Sequence, residues 1–73
     1  MTTYRDYQKE IDEVCEKVRM RQSRVTVTAL DGTEIYGYPR AGDRVAWGIN
    51  RPADGVNILR GIRLPDGSDE GVM

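Results

Sequence analysis

The sequence predicts a single small α+β domain, in which an amphipathic N-terminal helix packs on a bent antiparallel sheet of four or five strands. Two patterns give this prediction. Apolar residues recur at helical spacing near the start of the chain, and β-branched residues later alternate with polar ones between turn signals. A chain of 73 residues has room for one hydrophobic core, so residues 1–73 are expected to form one domain.

The helix is predicted over residues 3–22. Thr3 and Asp6 resemble a capping box, and Glu13 with Lys17 forms a favourable pair one turn apart. The apolar stripe is narrow, which fits packing on the domain's own sheet or pairing with the helix of a second copy. Its short length favours the sheet. The stripe consists of Tyr4, Tyr7, Ile11, Val14 and Val18.

The first two strands are predicted over residues 24–30 and 33–39, which are rich in β-branched and aromatic residues. The Asp31-Gly32 pair between them is typical of a two-residue hairpin turn, because both turn positions need a positive φ. Such a turn fixes the register and puts four residues on a face that we expect to be the core side. These residues are Val25, Val27, Tyr36 and Tyr38.

Two further strands are predicted over residues 44–50 and 56–64, and residues 66–73 are predicted to be an acidic tail. In the third strand, Val45, Trp47 and Ile49 alternate on one face. The fourth strand also aligns its apolar residues on one face, provided that its glycine introduces no bulge. These apolar residues are Val56, Ile58, Ile62 and Leu64, and the glycine is Gly61.

The composition argues against catalysis and for binding. There is no histidine, and Cys15 is the only cysteine, so we expect no nucleophile and base pair, no metal site and no cofactor. Cys15 is expected to be a partly buried small side chain. With no apolar run long enough to span a membrane, we expect a soluble, cytoplasmic protein.

Charge is unevenly distributed along the chain. The net charge is −1, but residues 17–63 hold nine basic groups against four acidic ones. Arginine binds carboxylate and phosphate groups through two parallel hydrogen bonds, which makes it the preferred cation at interfaces. For Trp47, a place in the core is favoured over a place in a stacking surface for nucleic acid. The candidate partner-binding residues are Arg40, Arg44, Arg60, Arg63 and Trp47.

Two segments resemble the motifs of Sm-like proteins. Residues 25–37 (VTVTALDGTEIYG) are similar to the first Sm motif, and residues 58–62 (ILRGI) are similar to the second. The resemblance implies a small barrel of the SH3-like or Sm-like kind. This chain is short and begins with a helix, and among Sm-like proteins it therefore resembles the Rof/YaeO inhibitors of the Rho terminator. This likeness implies an inhibitor that binds a protein and not RNA.

We therefore expect a small regulatory or inhibitory protein that binds a protein partner, of the sort that phages and mobile elements encode. The Rof/YaeO resemblance implies a role in transcription regulation. The alternative is a nucleic-acid-binding small barrel that uses the arginine-rich middle segment. A third possibility is an accessory subunit that forms a homodimer through its helix.

Overall fold

One helix and five strands follow one another in the computed structural model, which describes residues 4–51 and 55–72. A 3₁₀ turn at Tyr4–Tyr7 leads into the helix α1, Gln8–Arg21. A second 3₁₀ turn, Ala41–Asp43, connects the second strand to the third. The strands are β1 (Val25–Thr28), β2 (Glu34–Pro39), β3 (Val45–Arg51), β4 (Val56–Arg63) and β5 (Asp69–Val72).

The strands form an open antiparallel meander. Strands that are neighbours in the sequence are also neighbours in the sheet, in the order β1-β2-β3-β4-β5, and β1 and β5 are the edges. Helix α1 covers one face, and we call the opposite face the outer face. The predicted α+β class with a helix on an antiparallel sheet is confirmed, with five strands and without closure into a barrel.

The helix packs on the sheet through the predicted stripe. Ile11, Val14 and Val18 are fully buried, and Cys15 lies beside them with 1% of its surface exposed. The apolar stripe is thus already covered within the chain, as expected for packing on the sheet. The predicted pair of Glu13 and Lys17 is present, with 3.0 Å between Oε1 and Nζ.

The helix ends at Arg21 and is capped by Gln22, whose backbone is left-handed and whose N–H donates to the Val18 carbonyl at 2.6 Å. This residue directs the chain out of the helix and towards β1. At the other end, the predicted cap residue Thr3 and the side chain of Tyr4 lie outside the described residues.

The first hairpin differs from the predicted register by one residue. Val25 pairs with Gly37 and Val27 with Ile35, so Ile35 and Gly37 face the helix. Because side chains alternate along a strand, a shift of one residue moves the neighbouring side chains to the outer face. The prediction that the tyrosines of β2 face the core is therefore wrong. These tyrosines are Tyr36 and Tyr38.

The turn of this hairpin explains the shift. The Gly32 N–H donates to the Ala29 carbonyl at 3.0 Å, and the Ala29 N–H donates to the Thr33 carbonyl at 2.8 Å. This pattern is a three-residue loop that ends in a left-handed glycine, and Gly32 has a φ of 88°. The Asp31 carboxylate holds the loop by accepting the Thr33 N–H at 2.9 Å and the Tyr7 hydroxyl at 2.8 Å.

The third strand follows the prediction, whereas the fourth does not. Val45, Trp47 and Ile49 are buried beneath the helix. In β4, Ile62 pairs with Ala46 of the outer face, whereas Val56 pairs with Arg51, which continues the alternation of Val45, Trp47 and Ile49. The positions of β4 therefore do not align on one face as predicted. An irregularity in the pairing between β3 and β4 also breaks the expected alternation. Val56 and Ile58, which were predicted to align with Ile62, have side chains outside the described set.

The expected acidic tail is wrong over residues 69–72, because they form the edge strand β5. The loop before β5 repeats the hydrogen bonds of the first hairpin: the Gly67 N–H donates to the Leu64 carbonyl at 2.9 Å, and the Leu64 N–H donates to the Ser68 carbonyl at 2.8 Å. The Asp66 side chain again accepts a backbone N–H, from Ser68. The Asp31-Gly32 and Asp66-Gly67 pairs therefore mark the same kind of three-residue hairpin loop.

Candidate binding groove

A groove of about 550 Å³ lies where the C-terminal end of α1 meets two connections of the sheet. The helix contributes one wall, the link between β2 and β3 contributes another, and the turn between β4 and β5 closes one end. We call this the arginine groove. Its cationic side chains are Arg19, Arg40 and Arg44, and its apolar residues are Val18, Pro39, Val45 and Pro65.

The short connection between β2 and β3 brings two of the arginines together. The Arg40 N–H donates to the Arg44 carbonyl at 2.9 Å, so the two residues face each other across the turn. Gly42 and Asp43 have φ values of 74° and 61°, which reverse the chain within a few residues. Left-handed backbone is natural for glycine and is tolerated by aspartate. Arg40 and Arg44 are therefore presented side by side at the surface.

The third arginine comes from the helix. Arg19 lies in the last turn of α1, where a cation interacts favourably with the exposed carbonyl groups of the helix end. Its Nη2 donates to the Leu64 carbonyl at 3.0 Å, which ties the helix end to the end of β4. This bond holds Arg19 at the wall of the groove. Arg19 was not among the residues predicted from the sequence to bind a partner.

The groove carries a local excess of positive charge. Three guanidinium groups line it against one carboxylate, that of Asp43. Among the residues that the structure describes, neither Arg40 nor Arg44 forms an ion pair or a side-chain hydrogen bond. Their donors are therefore available to a carboxylate or phosphate group, and an arginine can bind either one in a bidentate manner.

The other sequence-predicted residues lie elsewhere. Trp47 is in the core with 3% of its surface exposed, so its indole offers no stacking surface. Arg60 pairs through its backbone with Gly48 and Val72, and its side chain lies outside the described residues. The structure thus brings Arg40 and Arg44 together in the arginine groove, which Trp47 does not line.

Arg63 belongs to an internal ion-pair cluster. Its side chain is 9% exposed and donates to two carboxylates, those of Asp69 on β5 and Asp12 on the helix. The hydrogen bonds that Arg63 donates to Asp69 raise the pKa of Arg63, burial opposes this rise, and the hydrogen bond to Asp12 adds to it. Partial burial raises the pKa of Asp12, but the hydrogen bonds from Arg63 and Gln8 outweigh it and leave that pKa lowered. Arg63 is thus engaged within the domain.

A second depression lies on the outer face. It has a volume of about 160 Å³ and is bordered by residues of β2, β3 and β4, and Arg40 lies at its margin as well as in the arginine groove. We call it the tyrosine hollow. Its outer-face residues are Tyr36, Tyr38, Ala46 and Ile62.

These features define a small α+β domain with an open five-stranded sheet, a cationic groove and an adjoining hollow. Among the described residues, no cluster of three or more acidic or cysteine side chains is arranged to hold a metal ion, and no helix is long and apolar enough to cross a bilayer. Comparison of the chain with protein-family models, with curated proteins and with solved structures found no match.

Proposed function

We propose that this chain is a small non-enzymatic regulatory protein that binds an acidic segment of a protein partner in the arginine groove. The observation that carries the proposal is the convergence of Arg19, Arg40 and Arg44 around one depression. Arg40 and Arg44 make no ion pair with the described side chains, so a partner's carboxylates gain hydrogen bonds without displacing internal ones.

The floor of the groove favours a peptide over a nucleic acid. Two exposed prolines, Pro39 and Pro65, border it, so a bound segment can bury apolar side chains beside its carboxylates. Nucleic-acid affinity depends mainly on phosphate contacts, and a chain with a net charge of −1 attracts a polyanion weakly. The acidic peptide is therefore the better match to the groove.

A cytoplasmic location agrees with this function. Cys15 is a free, buried thiol, and single reduced cysteines are typical of proteins in reducing compartments. The Rof/YaeO resemblance implies the same kind of activity, a protein inhibitor that acts by occupying a site on another protein.

Binding of a labelled acidic peptide tests the proposal. A fluorescein-labelled peptide of glutamates and alanines is titrated with the protein, and its anisotropy is compared with that of a lysine-alanine peptide and an oligouridylate. We expect saturable binding of the acidic peptide only. Arg40→Ala and Arg44→Ala should each weaken it by about three- to tenfold, which corresponds to the loss of one hydrogen bond at an exposed site, about 0.7 to 1.4 kcal/mol.

Arg21→Ala provides the matched control, because Arg21 is an exposed arginine at the same helix end that does not line the groove. It removes the same charge and should leave the affinity nearly unchanged. Equal losses in all three variants would indicate general electrostatic attraction and contradict the groove. Preferential binding of the oligouridylate would replace the proposal with the nucleic-acid alternative.

A further inference from the structure

We infer that the tyrosine hollow is the second half of the same binding site and takes one phenyl-sized apolar side chain of the partner segment. This inference rests on the proposed function, because it assumes that an acidic segment occupies the arginine groove. It adds a specificity element: the partner motif combines acidic residues with a single apolar anchor next to them.

The hollow arises from a small residue between two larger ones. Tyr38 pairs with Ala46, and Ala46 pairs with Ile62, so the three side chains form a row across β2, β3 and β4 on the outer face. A methyl group between a tyrosine ring and a branched aliphatic chain leaves a depression over Ala46. Tyr38 is 39% exposed, so its ring retains surface that a partner can cover.

A second row forms the adjacent wall. Tyr36 pairs with Gly48, and its ring leans over this glycine so closely that a Cβ there would clash with the Tyr36 hydroxyl. The Arg24 guanidinium lies 5.3 Å from the centroid of the Tyr36 ring, a cation–π distance. Both contacts hold the ring, so the wall of the hollow is formed before a partner arrives.

The volume of the tyrosine hollow matches that of one aromatic ring. The hollow measures about 160 Å³, and a protein cavity on the order of 150 Å³ accommodates a benzene molecule. Aromatic walls favour an aromatic occupant, because ring pairs contribute beyond the area that they bury. A phenylalanine side chain is therefore the occupant that we assign to the hollow.

Arg40 links the two depressions, since it borders both. A carboxylate bound to Arg40 places the next residues of the same segment beside Tyr38 and Ala46. Arg40 and the tyrosine hollow thus bind neighbouring positions of one peptide, in which an acidic residue is followed within a short distance by an aromatic one.

Two labelled peptides test this inference. Both carry the same glutamates, and they differ only at one position next to the acidic run, which is phenylalanine in one and alanine in the other. We expect the phenylalanine peptide to bind about five- to tenfold more tightly. Ala46→Leu fills the hollow and should abolish this ratio without weakening the alanine peptide.

Thr28→Leu is the control, because Thr28 is exposed on β1 and does not border the hollow. It adds a similar apolar group and should keep the ratio. Tyr38→Ala removes one wall of the hollow and should also reduce the ratio. It serves as the test if Ala46→Leu does not fold. Circular dichroism confirms that each variant is folded before its affinity is compared.

The outcomes separate the two proposals. If both peptides bind equally and both depend on Arg40, the hollow has no anchoring role and the proposed function stands. If neither peptide binds, the proposed function and the inference both fail. Loss of the ratio in Thr28→Leu as well would show that the discrimination does not come from the hollow.

Discussion

Arg63 and Asp69 form a two-point ion pair across β4 and β5, with 2.7 Å between Nε and Oδ1 and 2.9 Å between Nη2 and Oδ2. The same guanidinium donates through Nη1 to Asp12 on the helix. One buried side chain therefore connects the edge strand, the sheet and α1. Because Asp69 stands directly opposite Arg63 in the sheet register, the contact also specifies how β5 pairs.

Asp69→Asn should destabilise the domain by about 2 to 3 kcal/mol, because it removes one of the two described carboxylates that compensate the charge of the largely buried Arg63. Urea unfolding followed by circular dichroism measures this loss. Glu70→Gln is the control on the same strand, since Glu70 is exposed and should change stability by less than about 0.5 kcal/mol. Equal effects of the two substitutions would show that the ion pair contributes little.

Gly37→Ala should destabilise the domain by about 1 to 3 kcal/mol, because overpacking a core costs free energy of this order. A Cβ at Gly37 would lie 2.6 Å from Val14 Cγ1 and 3.3 Å from Val18 Cγ2, so the helix would have to move away from β2. At Gly71 on β5 a Cβ meets nothing within 4 Å, so Gly71→Ala should have little effect. Thermal unfolding compares the two variants, and a tolerated Gly37→Ala would contradict the close packing of α1 on β2.

Stability should fall as the pH is lowered from about 4 to about 2, partly because of Asp31. Hydrogen bonds from the Thr33 hydroxyl, the Thr33 N–H and the Tyr7 hydroxyl lower the pKa of Asp31 to about 2. The pKa in the unfolded chain is about 3.9, so the contribution is present above that pH and is lost as the pH falls through the folded value.

Asp31→Asn should make the loss of stability in this window less steep, as measured by denaturant unfolding at several pH values. Some dependence should remain, because the pKa values of Asp12 and Asp66 are also lowered. An unchanged slope in Asp31→Asn would show that the carboxylate gains nothing from the hydrogen bonds in the loop.

The Cys15 thiol should be nearly inert in the folded protein. Burial raises the pKa of Cys15 to about 11, and its side chain is enclosed between the helix and the sheet. Because the thiolate is the reactive form, alkylation at neutral pH should accelerate by at least about a hundredfold when the protein is unfolded in guanidinium. Mass spectrometry of the iodoacetamide adduct measures both rates. Rapid labelling of the native protein would mean that α1 opens locally.

Several features could be predicted because they depend on neighbouring residues in the sequence. The spacing of Ile11, Val14 and Val18 indicates which helix face is buried, and the alternation of Val45, Trp47 and Ile49 indicates the buried face of β3. Both patterns follow from the geometry of a single element. For the candidate site, the sequence indicated Arg40 and Arg44 and also suggested that Trp47 lies in the core.

The first hairpin shows where local patterns are ambiguous. An Asp-Gly pair fits a two-residue turn, and it also fits a three-residue loop with the glycine left-handed. The three-residue loop that forms in the structure places Ile35 in the core and Tyr36 on the outer face. In the structure, the Tyr7 hydroxyl from the start of the helix region bonds to Asp31 in this loop, and no local pattern shows that contact.

The sequence by itself determined the fold class, the buried stripe of α1 and the positive charge of the middle segment, because these follow from residue type and period along one element. Tertiary structure alone decided three things: that residues 69–72 form a strand, that Arg63 lies in a buried ion pair, and that Arg19 joins Arg40 and Arg44. Each of these depends on contacts between residues far apart in the chain. A strand in which Asp, Glu and Gly are three of the four residues has low intrinsic β-propensity and is stabilised here by its pairing with β4.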